Sequence, residues 1–356
     1  MISVLVVDDS AMMRRFLTQI FEKTGEFRVR TARNGEVALE LLAEEKPEVI
    51  TLDINMPGMD GLTCLSHIMT QSPCPVVMVS SLTDKGALAT LEALELGAVD
   101  YIAKPGGTVS HNMQDIADEL LRKVRTAAGS KPRHQLRSGG LTERLQSPEP
   151  SPARRPETAN SSEAEGLVLV GVSTGGPSAL ETLLSGLSPH QEWPLLIAQH
   201  MPATFTSVLA QRLNGLCPLP VQEVNKPTPL LSGHVYMAQG DKDIEVRRRA
   251  GRLMAVPQPQ APERPWHPSA DRMVESALDL LKPEQMIGVL LTGMGDDGAQ
   301  AMQRLHELGG RTLAESEETC VVYGMPRVLV ESGGADQVLP IEAIAGQLKR
   351  WVPARV

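Results

Sequence analysis

Short apolar runs alternate with helix-length amphipathic stretches from the first residues of this chain, and that alternation decides most of what it can become. Residues 4–7, 28–31, 49–52, 76–79 and 99–102 have strand length and composition, with helices expected from Ser10, Gly35, Gly61, Asp84 and about Ser110. Five consecutive β-α units predict an α/β domain with a doubly wound parallel sheet, because parallel neighbours need crossover helices. Function in such sheets gathers at the carboxyl ends of the strands. Here those ends are polar: Asp8 and Asp9 follow the first strand, Asp53 the third, Ser80 the fourth, and Lys104 and Pro105 the fifth.

Three carboxylates on one edge repel one another unless a hard cation neutralises them, and Mg2+ suits such a set of oxygen ligands. A lysine and a hydroxyl across from Asp53 would then bind the oxygens of a phosphoryl group transferred to it. A single strand-end aspartate commonly does no more than cap the next helix. Five polar residues on one edge are poorly explained that way. The stretches Val7-Asp8-Asp9-Ser10, Asp53-Ile-Asn-Met-Pro-Gly-Met-Asp60-Gly61, Val79-Ser80-Ser81 and Tyr101-Ile-Ala-Lys104-Pro105 resemble the receiver domain of bacterial two-component response regulators, a (βα)5, flavodoxin-like fold. The resemblance implies Asp53 as phosphoacceptor and Asp8, Asp9 and Asp53 around Mg2+, with the Asn55 carbonyl as a further ligand. It also implies that Ser80 and Lys104 contact the phosphoryl group and that Tyr101 occupies the aromatic switch position.

The alternation stops at residues 126–165, where Ser-Gly-Gly, Pro-Glu-Pro-Ser-Pro and Arg-Arg-Pro replace any aliphatic periodicity. That composition predicts a solvated spacer, in which Leu141 and Leu145 could form one transient helical turn or dock a partner, plain spacer being the default. The expected layout is therefore a first domain over 1–125, a flexible linker over 126–165 and a second domain over 166–356, which suits a length of 356 residues. With only 3% aromatic residues, both cores must be built from Leu, Val, Ile, Ala and Met. A formal charge of -9 argues against nucleic acid as a partner. No run approaches the ~18 apolar residues of a membrane span, and no signal peptide is recognisable. The four cysteines form no C-x-x-C pair and read as free thiols of a reducing cytoplasm.

In the second domain, the apolar residues 166–171 run into Val172-Ser173-Thr174-Gly175-Gly176-Pro177, and a helix follows. Such a turn exposes the Ser173 hydroxyl at a sheet edge, with the amides of Thr174, Gly175 and Gly176 available to a negative oxygen. Turns of this kind hold phosphates more often than nucleophiles. A second apolar run, 195–200, ends in His200 before Met201-Pro202 and a helix over 204–214. Segments 233–238 and 244–255, the latter with a turn at 249–251, predict antiparallel hairpins added to the sheet. A proline-rich loop over 257–268 precedes a helix over 268–281. The strand over 286–292 then ends in Gly293-Met294-Gly295-Asp296-Asp297-Gly298 and enters a helix. The remainder holds a strand over 311–314, a segment around 320–329 and a final helix over 341–351.

Ser173, His200 and the Asp296/Asp297 pair thus each end a buried strand, and a parallel sheet brings such ends to one edge. An imidazole there can take the hydroxyl proton while a carboxylate fixes its tautomer. The chain order Ser, His, Asp departs from the Ser, acid, His order of α/β-hydrolases. His234 and His267 are weaker candidates, read as structural or substrate-contacting. The motifs Gly171-Val-Ser173-Thr174-Gly-Gly-Pro177, Gln199-His200-Met-Pro202, His267-Pro-Ser-Ala-Asp271 and Leu291-Thr-Gly-Met294-Gly-Asp-Asp297-Gly298 resemble the catalytic domain of the bacterial chemotaxis protein-glutamate methylesterases, the CheB family.

That resemblance implies Ser173 as nucleophile, His200 as general base and Asp297 as orienting acid. The family pattern Gly-Met-Gly-x-Asp-Gly leaves Asp296 on its variable position. Thr174 and Met294 would lie beside the reacting carbonyl. A phosphorylation-activated serine hydrolase is implied, one that removes methyl esters from glutamates of chemoreceptor cytoplasmic domains, releases methanol and deamidates receptor glutamines. Its phosphodonor would be a chemotaxis histidine kinase, and its unphosphorylated receiver would cover the active site. Mg2+ at the receiver would be its one cofactor, the esterase reaction needing none, in a cytoplasmic protein that does not insert into the membrane. A DNA-binding regulator would need a basic helix-turn-helix after the linker, and the α/β pattern there argues against one. The remaining alternative, a catalytically silent receptor-binding regulator, is disfavoured by the presence of Ser173, His200 and Asp297 together.

Overall fold

The computed structural model describes residues 1–81, 83–104, 113–130 and 164–352, which divide into two compact units, Met1–Gly139 and Gly140–Val356. In the first unit the order is β1 (Ile2–Val7), α1 (Ala11–Thr24), β2 (Phe27–Ala32), α2 (Gly35–Glu44), β3 (Val49–Asp53), α3 (Gly61–Gln71), β4 (Val76–Ser80), α4 (Asp84–Glu95), β5 (Asp100–Ala103) and α5 (Met113–Ala128). The five strands are parallel in the order β2-β1-β3-β4-β5, so the winding reverses between β1 and β3. Ligand crevices form at such a reversal, and Asp8, Asp9 and Asp53 stand at its carboxyl side. Strands β3 and β4 are buried at every position, as strands covered on both faces must be.

Helices α1 to α4 start where the sequence supplies a cap: the side chains of Ser10, Asn34, Asp60 and Thr83 each accept an N–H of the first turn. Each cap contributes about 1 kcal/mol. Gly61 opens α3 because a Cβ there would stand 2.1 Å from the Asp53 carbonyl oxygen. Helix α5 continues to Ala128, past the expected boundary at 125, because Val124 and Ala127 are still buried. Most of the expected spacer, including Leu141 and Leu145, lies outside the described residues.

The second unit comprises β6 (Leu167–Val172), α6 (Gly176–Ser185), β7 (Leu195–Gln199), α7 (Ala203–Leu216), β8 (Val221–Val224), β9 (Thr228–Pro229), β10 (Val235–Ala238), β11 (Asp243–Arg249) and β12 (Arg252–Gln258). There follow α8 (Ala270–Leu278), β13 (Met286–Leu290), α9 (Ala299–Glu307), β14 (Arg311–Glu315), α10 (Met325–Glu331), β15 (Gln337–Leu339) and α11 (Ile341–Trp351). Seven strands form one parallel sheet in the order β15-β14-β13-β6-β7-β10-β8. Its core is aliphatic, with Leu167, Leu169, Leu196, Met286 and Met302 fully buried.

One expectation for this sheet needs correction. Residues 235–238 are no hairpin: β10 is a parallel strand between β7 and β8. Val-Tyr-Met-Ala is buried at all four positions, so both of its faces need cover, which a central strand receives. Strands β11 and β12 do form an antiparallel hairpin through residues 249–252, but it joins β9 in a separate three-stranded sheet. Edge strands β8 and β15 were not anticipated, each being short and only partly buried.

Candidate active site

The three central strands of the second sheet are β13, β6 and β7, with β6 in the middle. Ser173 follows β6 directly, its N–H donating to the Thr292 carbonyl at 3.0 Å. His200 follows β7 and donates its N–H to the Val172 carbonyl at 3.1 Å. Asp297 lies seven residues beyond β13 in sequence and returns to the same edge. His200 Nε2 and Asp297 Oδ2 are 2.8 Å apart.

Asp297 is held by more than the imidazole. Ser269 Oγ and the Asp271 N–H donate to Oδ1 at 2.9 and 3.1 Å, and the Ala270 N–H donates to Oδ2 at 2.6 Å. The N-terminus of α8 therefore wraps the carboxylate. Burial by itself would raise the Asp297 pKa, but the His200 contact and the α8 amides hold it below the ordinary value. An ionised Asp297 can only accept, so the His200 nitrogen facing it, Nε2, carries a proton. Trp266 stacks on that ring, with centroids 5.3 Å apart and planes within 3°. The other nitrogen, Nδ1, is buried and has no hydrogen-bond partner among the described residues. Ser173 is 7% exposed, and no hydrogen bond joins its Oγ to His200. Catalytic contacts in ligand-free sites often tighten only around substrate.

The adjacent acids are separated by their surroundings. Both line a pocket of about 190 Å³ with Trp266 and Asp271, but Asp297 is buried in its wall whereas Asp296 is exposed. Gly175 is required where it stands: its φ is +77°, and a Cβ would meet the Val321 side chain at 2.6 Å. Thr174 is buried beside Ser173 and Met294 is half-buried. His267 instead pairs through Nδ1 with the buried Asp243 at 2.9 Å, and His234 Nδ1 donates to the Ser232 carbonyl at 2.9 Å, so neither shares the His200–Asp297 pair. Sequence reasoning assigned no role to Trp266, Ser269, Gln199 or Thr292. Gln199 Nε2 donates to the carbonyls of Ser173 and His200 at 3.0 and 3.2 Å, joining the two strand ends. Ser269 lay inside a quoted motif and has the form of an N-cap, which was the available signal.

Behind Asp297, Asp271 accepts the Ala301 N–H at 2.9 Å and faces Arg264 at 3.7 Å. Burial, with the charge of Asp297 adding to it, raises its pKa from 3.8 to about 6 despite those two contacts. The folded state thus holds the Asp271 proton more tightly than the unfolded chain. Stability contributed by the neutral acid is lost as pH rises from about 4 to 6. We expect Asp271→Asn, whose amide oxygen can still accept from Ala301, to stabilise the domain by roughly 1–3 kcal/mol above pH 6. Urea unfolding at pH 7.5 and pH 4 checks this: the gain should be absent at the lower pH.

In the first unit, carboxylate oxygens of Asp8, Asp9 and Asp53 lie within 4.8 Å of one another. Lys104 Nζ sits 2.7 Å from Asp53 and 3.0 Å from Asp8. One ammonium against three carboxylates leaves net negative charge, and an all-oxygen set of this size fits a hard divalent cation. Burial raises the Asp53 pKa; Lys104 pulls it down and Asp8 pushes it up, and the net shift is upward. The Asn55 N–H donates to Asp53 Oδ1 at 3.2 Å. Ser80 is buried and donates to the Gly86 carbonyl at 3.2 Å. The Tyr101 ring is buried beneath the Lys123 ammonium, 4.7 Å from its centroid.

The first fold and its acidic edge define a receiver, and the second is an α/β domain carrying serine, histidine and ionised aspartate on one sheet edge. The chain belongs to the CheB methylesterase family, whose profile matches residues 168–348, and the response regulator receiver domain profile matches residues 4–111. A Rhodospirillum rubrum protein named protein-glutamate methylesterase/protein-glutamine glutaminase 3 is 54% identical over 99% of this chain and 96% of its own length. A Rhodopseudomonas palustris protein named protein-glutamate methylesterase/protein-glutamine glutaminase 2 is 49% identical over 99% of this chain and 98% of its own. The crystal structure of the Thermotoga maritima CheB methylesterase catalytic domain is 35% identical with a TM-score of 0.51, covering 52% of this chain and 98% of that one. No helix among the described residues is long and apolar enough to cross a membrane.

Proposed function

We propose that this protein is a phosphorylation-activated serine hydrolase that demethylates glutamate γ-methyl esters on chemoreceptor cytoplasmic domains and deamidates receptor glutamines. The observation that carries the reading is the His200–Asp297 pair: Nε2 is committed to an ionised carboxylate at 2.8 Å, which leaves Nδ1 as the basic nitrogen. Ser173 Oγ attacks the ester carbonyl while His200 Nδ1 takes its proton, and the Thr174 and Gly175 amides receive the oxyanion; the Gly176 N–H, expected to share that task, donates instead to the Ser173 carbonyl at 2.8 Å. The tetrahedral intermediate collapses as His200 returns the proton to the leaving oxygen, releasing methanol and leaving acyl-Ser173. Water, deprotonated by His200, then frees the glutamate and restores the serine. With a glutamine substrate the same proton delivery releases ammonia. Thr174 and Met294 flank the reacting carbonyl. The test is methanol release from methylated receptor membranes.

Control is assigned to Asp53. Asp8, Asp9 and Asp53, with the Asn55 carbonyl, would hold Mg2+, whose chemistry is to neutralise charge during phosphoryl transfer. Lys104 and Ser80 would contact the phosphoryl oxygens, and Tyr101 would report the change to the receiver surface. A chemotaxis histidine kinase is the fitting phosphodonor, and the cytoplasm the fitting location for both partners. Residues 1–125, 126–165 and 166–356 would act as receiver, linker and catalytic domain. A small-molecule phosphodonor with Mg2+ is expected to raise esterase turnover of the full chain about tenfold, which needs about 1.4 kcal/mol of population shift. Asp53→Ala should keep the basal rate and lose the response. A response retained by Asp53→Ala would move the phosphoacceptor elsewhere.

A further inference from the structure

The turn carrying Ser173 has a weakness built into it. Rotating the peptide between Thr174 and Gly175 changes only ψ of Thr174 and φ of Gly175, and glycine accepts either sign of φ at little cost. The two orientations point the Gly175 N–H in opposite directions, because C=O and N–H of a trans peptide are antiparallel. Something outside the turn must select one.

Thr292 is placed to do so. It is 1% exposed and sits just beyond β13, beside the serine turn. Both of its backbone groups are anchored: its N–H donates to buried Glu315 at 2.8 Å, and its carbonyl accepts the Ser173 N–H at 3.0 Å. Glu315 is itself held by the Thr319 hydroxyl at 2.9 Å. The Thr292 hydroxyl has one proton and two lone pairs. It accepts from the Val322 N–H at 3.0 Å, and the Thr174 carbonyl at 2.9 Å is a nearer acceptor for its proton than the Val322 carbonyl at 3.3 Å. That last carbonyl already receives the Gly293 N–H at 3.0 Å. With the Thr174 oxygen drawn toward Thr292, the Gly175 N–H is turned the other way, and it donates to no acceptor among the described residues.

We propose that Thr292 is a positioning residue for the esterase reaction: its hydroxyl locks the Thr174–Gly175 peptide so that the Gly175 N–H faces the oxyanion formed when Ser173 attacks. The proposal rests on Ser173 being the nucleophile. The lock acts on the transition state, since the ground-state carbonyl gains little from one amide. Removing the hydroxyl should therefore lower kcat and spare KM.

The experiment measures methanol release by the full chain, with Mg2+ and phosphodonor, from receptor membranes of graded concentration. Thr292→Val, which keeps the shape of the side chain, and Thr292→Ala are expected to lose about 10²-fold in kcat with KM within about twofold of wild type. Thr292→Ser, which restores the hydroxyl, should return to within about threefold. Circular dichroism and urea midpoints identify which hydroxyl-free variant is folded, and kcat and KM are read on that one. The proposal is overturned if a folded hydroxyl-free variant keeps its kcat, if the loss falls on KM alone, or if the serine variant is as slow as the valine one. Ser173→Ala in the same assay separates the two ideas. An active Ser173→Ala removes the nucleophile and the proposal with it, whereas an inactive Ser173→Ala beside an unimpaired Thr292→Val strikes Thr292 alone.

Discussion

Replacing Ser173 by alanine is expected to lower esterase turnover by at least about 10³-fold, or about 4 kcal/mol of transition-state stabilisation. The expectation is specific because the serine backbone is fixed independently of its hydroxyl. Its N–H is held by Thr292, and its carbonyl accepts from the Gly176 N–H at 2.8 Å and from Gln199 Nε2 at 3.0 Å. Removing Oγ therefore leaves the turn, the His200–Asp297 pair and the fold in place, and the unfolding free energy measured in urea should not change by more than about 0.5 kcal/mol. What survives is water activated directly by His200, with the oxyanion still served by the turn amides, and such residual catalysis is ordinarily small. Methanol release and stoichiometric labelling by a serine-directed phosphonate provide two readouts. A variant that keeps more than about a tenth of wild-type turnover, or that is still labelled at this turn, removes Ser173 from the nucleophile role.

The parts legible in the sequence were those whose signal is local. A strand buried on both faces reads as an apolar run, and the residue that ends it reads as an edge residue, so Asp8, Asp53, Ser173 and His200 were placed at strand ends without knowing the strand order. Neighbouring strands β13 and β6 are more than a hundred residues apart, yet winding to both sides of β6 brings Asp297 beside His200. Signals that depend on tertiary neighbours were not legible. The run 235–238 looks the same in a hairpin as in a parallel sheet, because four apolar residues carry no period. Trp266 lay in a proline-rich loop whose path is decided by α8 and β11, so nothing in its spacing tied it to His200. Thr292 was read as the end of a strand, and its hydroxyl bonds to residues 174 and 322 are set by packing alone.

The two adjacent aspartates give the sharpest contrast between neighbours in sequence. Asp297→Asn is expected to reduce turnover by about 10³–10⁴-fold, while Asp296→Asn stays within about threefold of wild type. Four donors converge on Asp297, two on each oxygen. An asparagine offers one oxygen and one NH2. If the NH2 takes the Oδ2 place, it meets the Ala270 N–H and obliges His200 Nε2 to accept, which moves the ring proton to Nδ1 and leaves no base for Ser173. If it takes the Oδ1 place, His200 keeps its tautomer, but the Asp271 N–H faces a donor and the negative charge that stabilises the imidazolium is still gone. Either orientation disables acylation, by tautomer in one case and by charge in the other. Asp296 has no comparable duty: its side chain is exposed, and its carbonyl, unaffected by the change, accepts the Ala299 N–H at 3.0 Å. Turnover of the two variants, measured side by side on the same receptor membranes, decides the matter. Equal and mild losses would mean that neither carboxylate orients His200, and a larger loss at Asp296 would reverse the assignment.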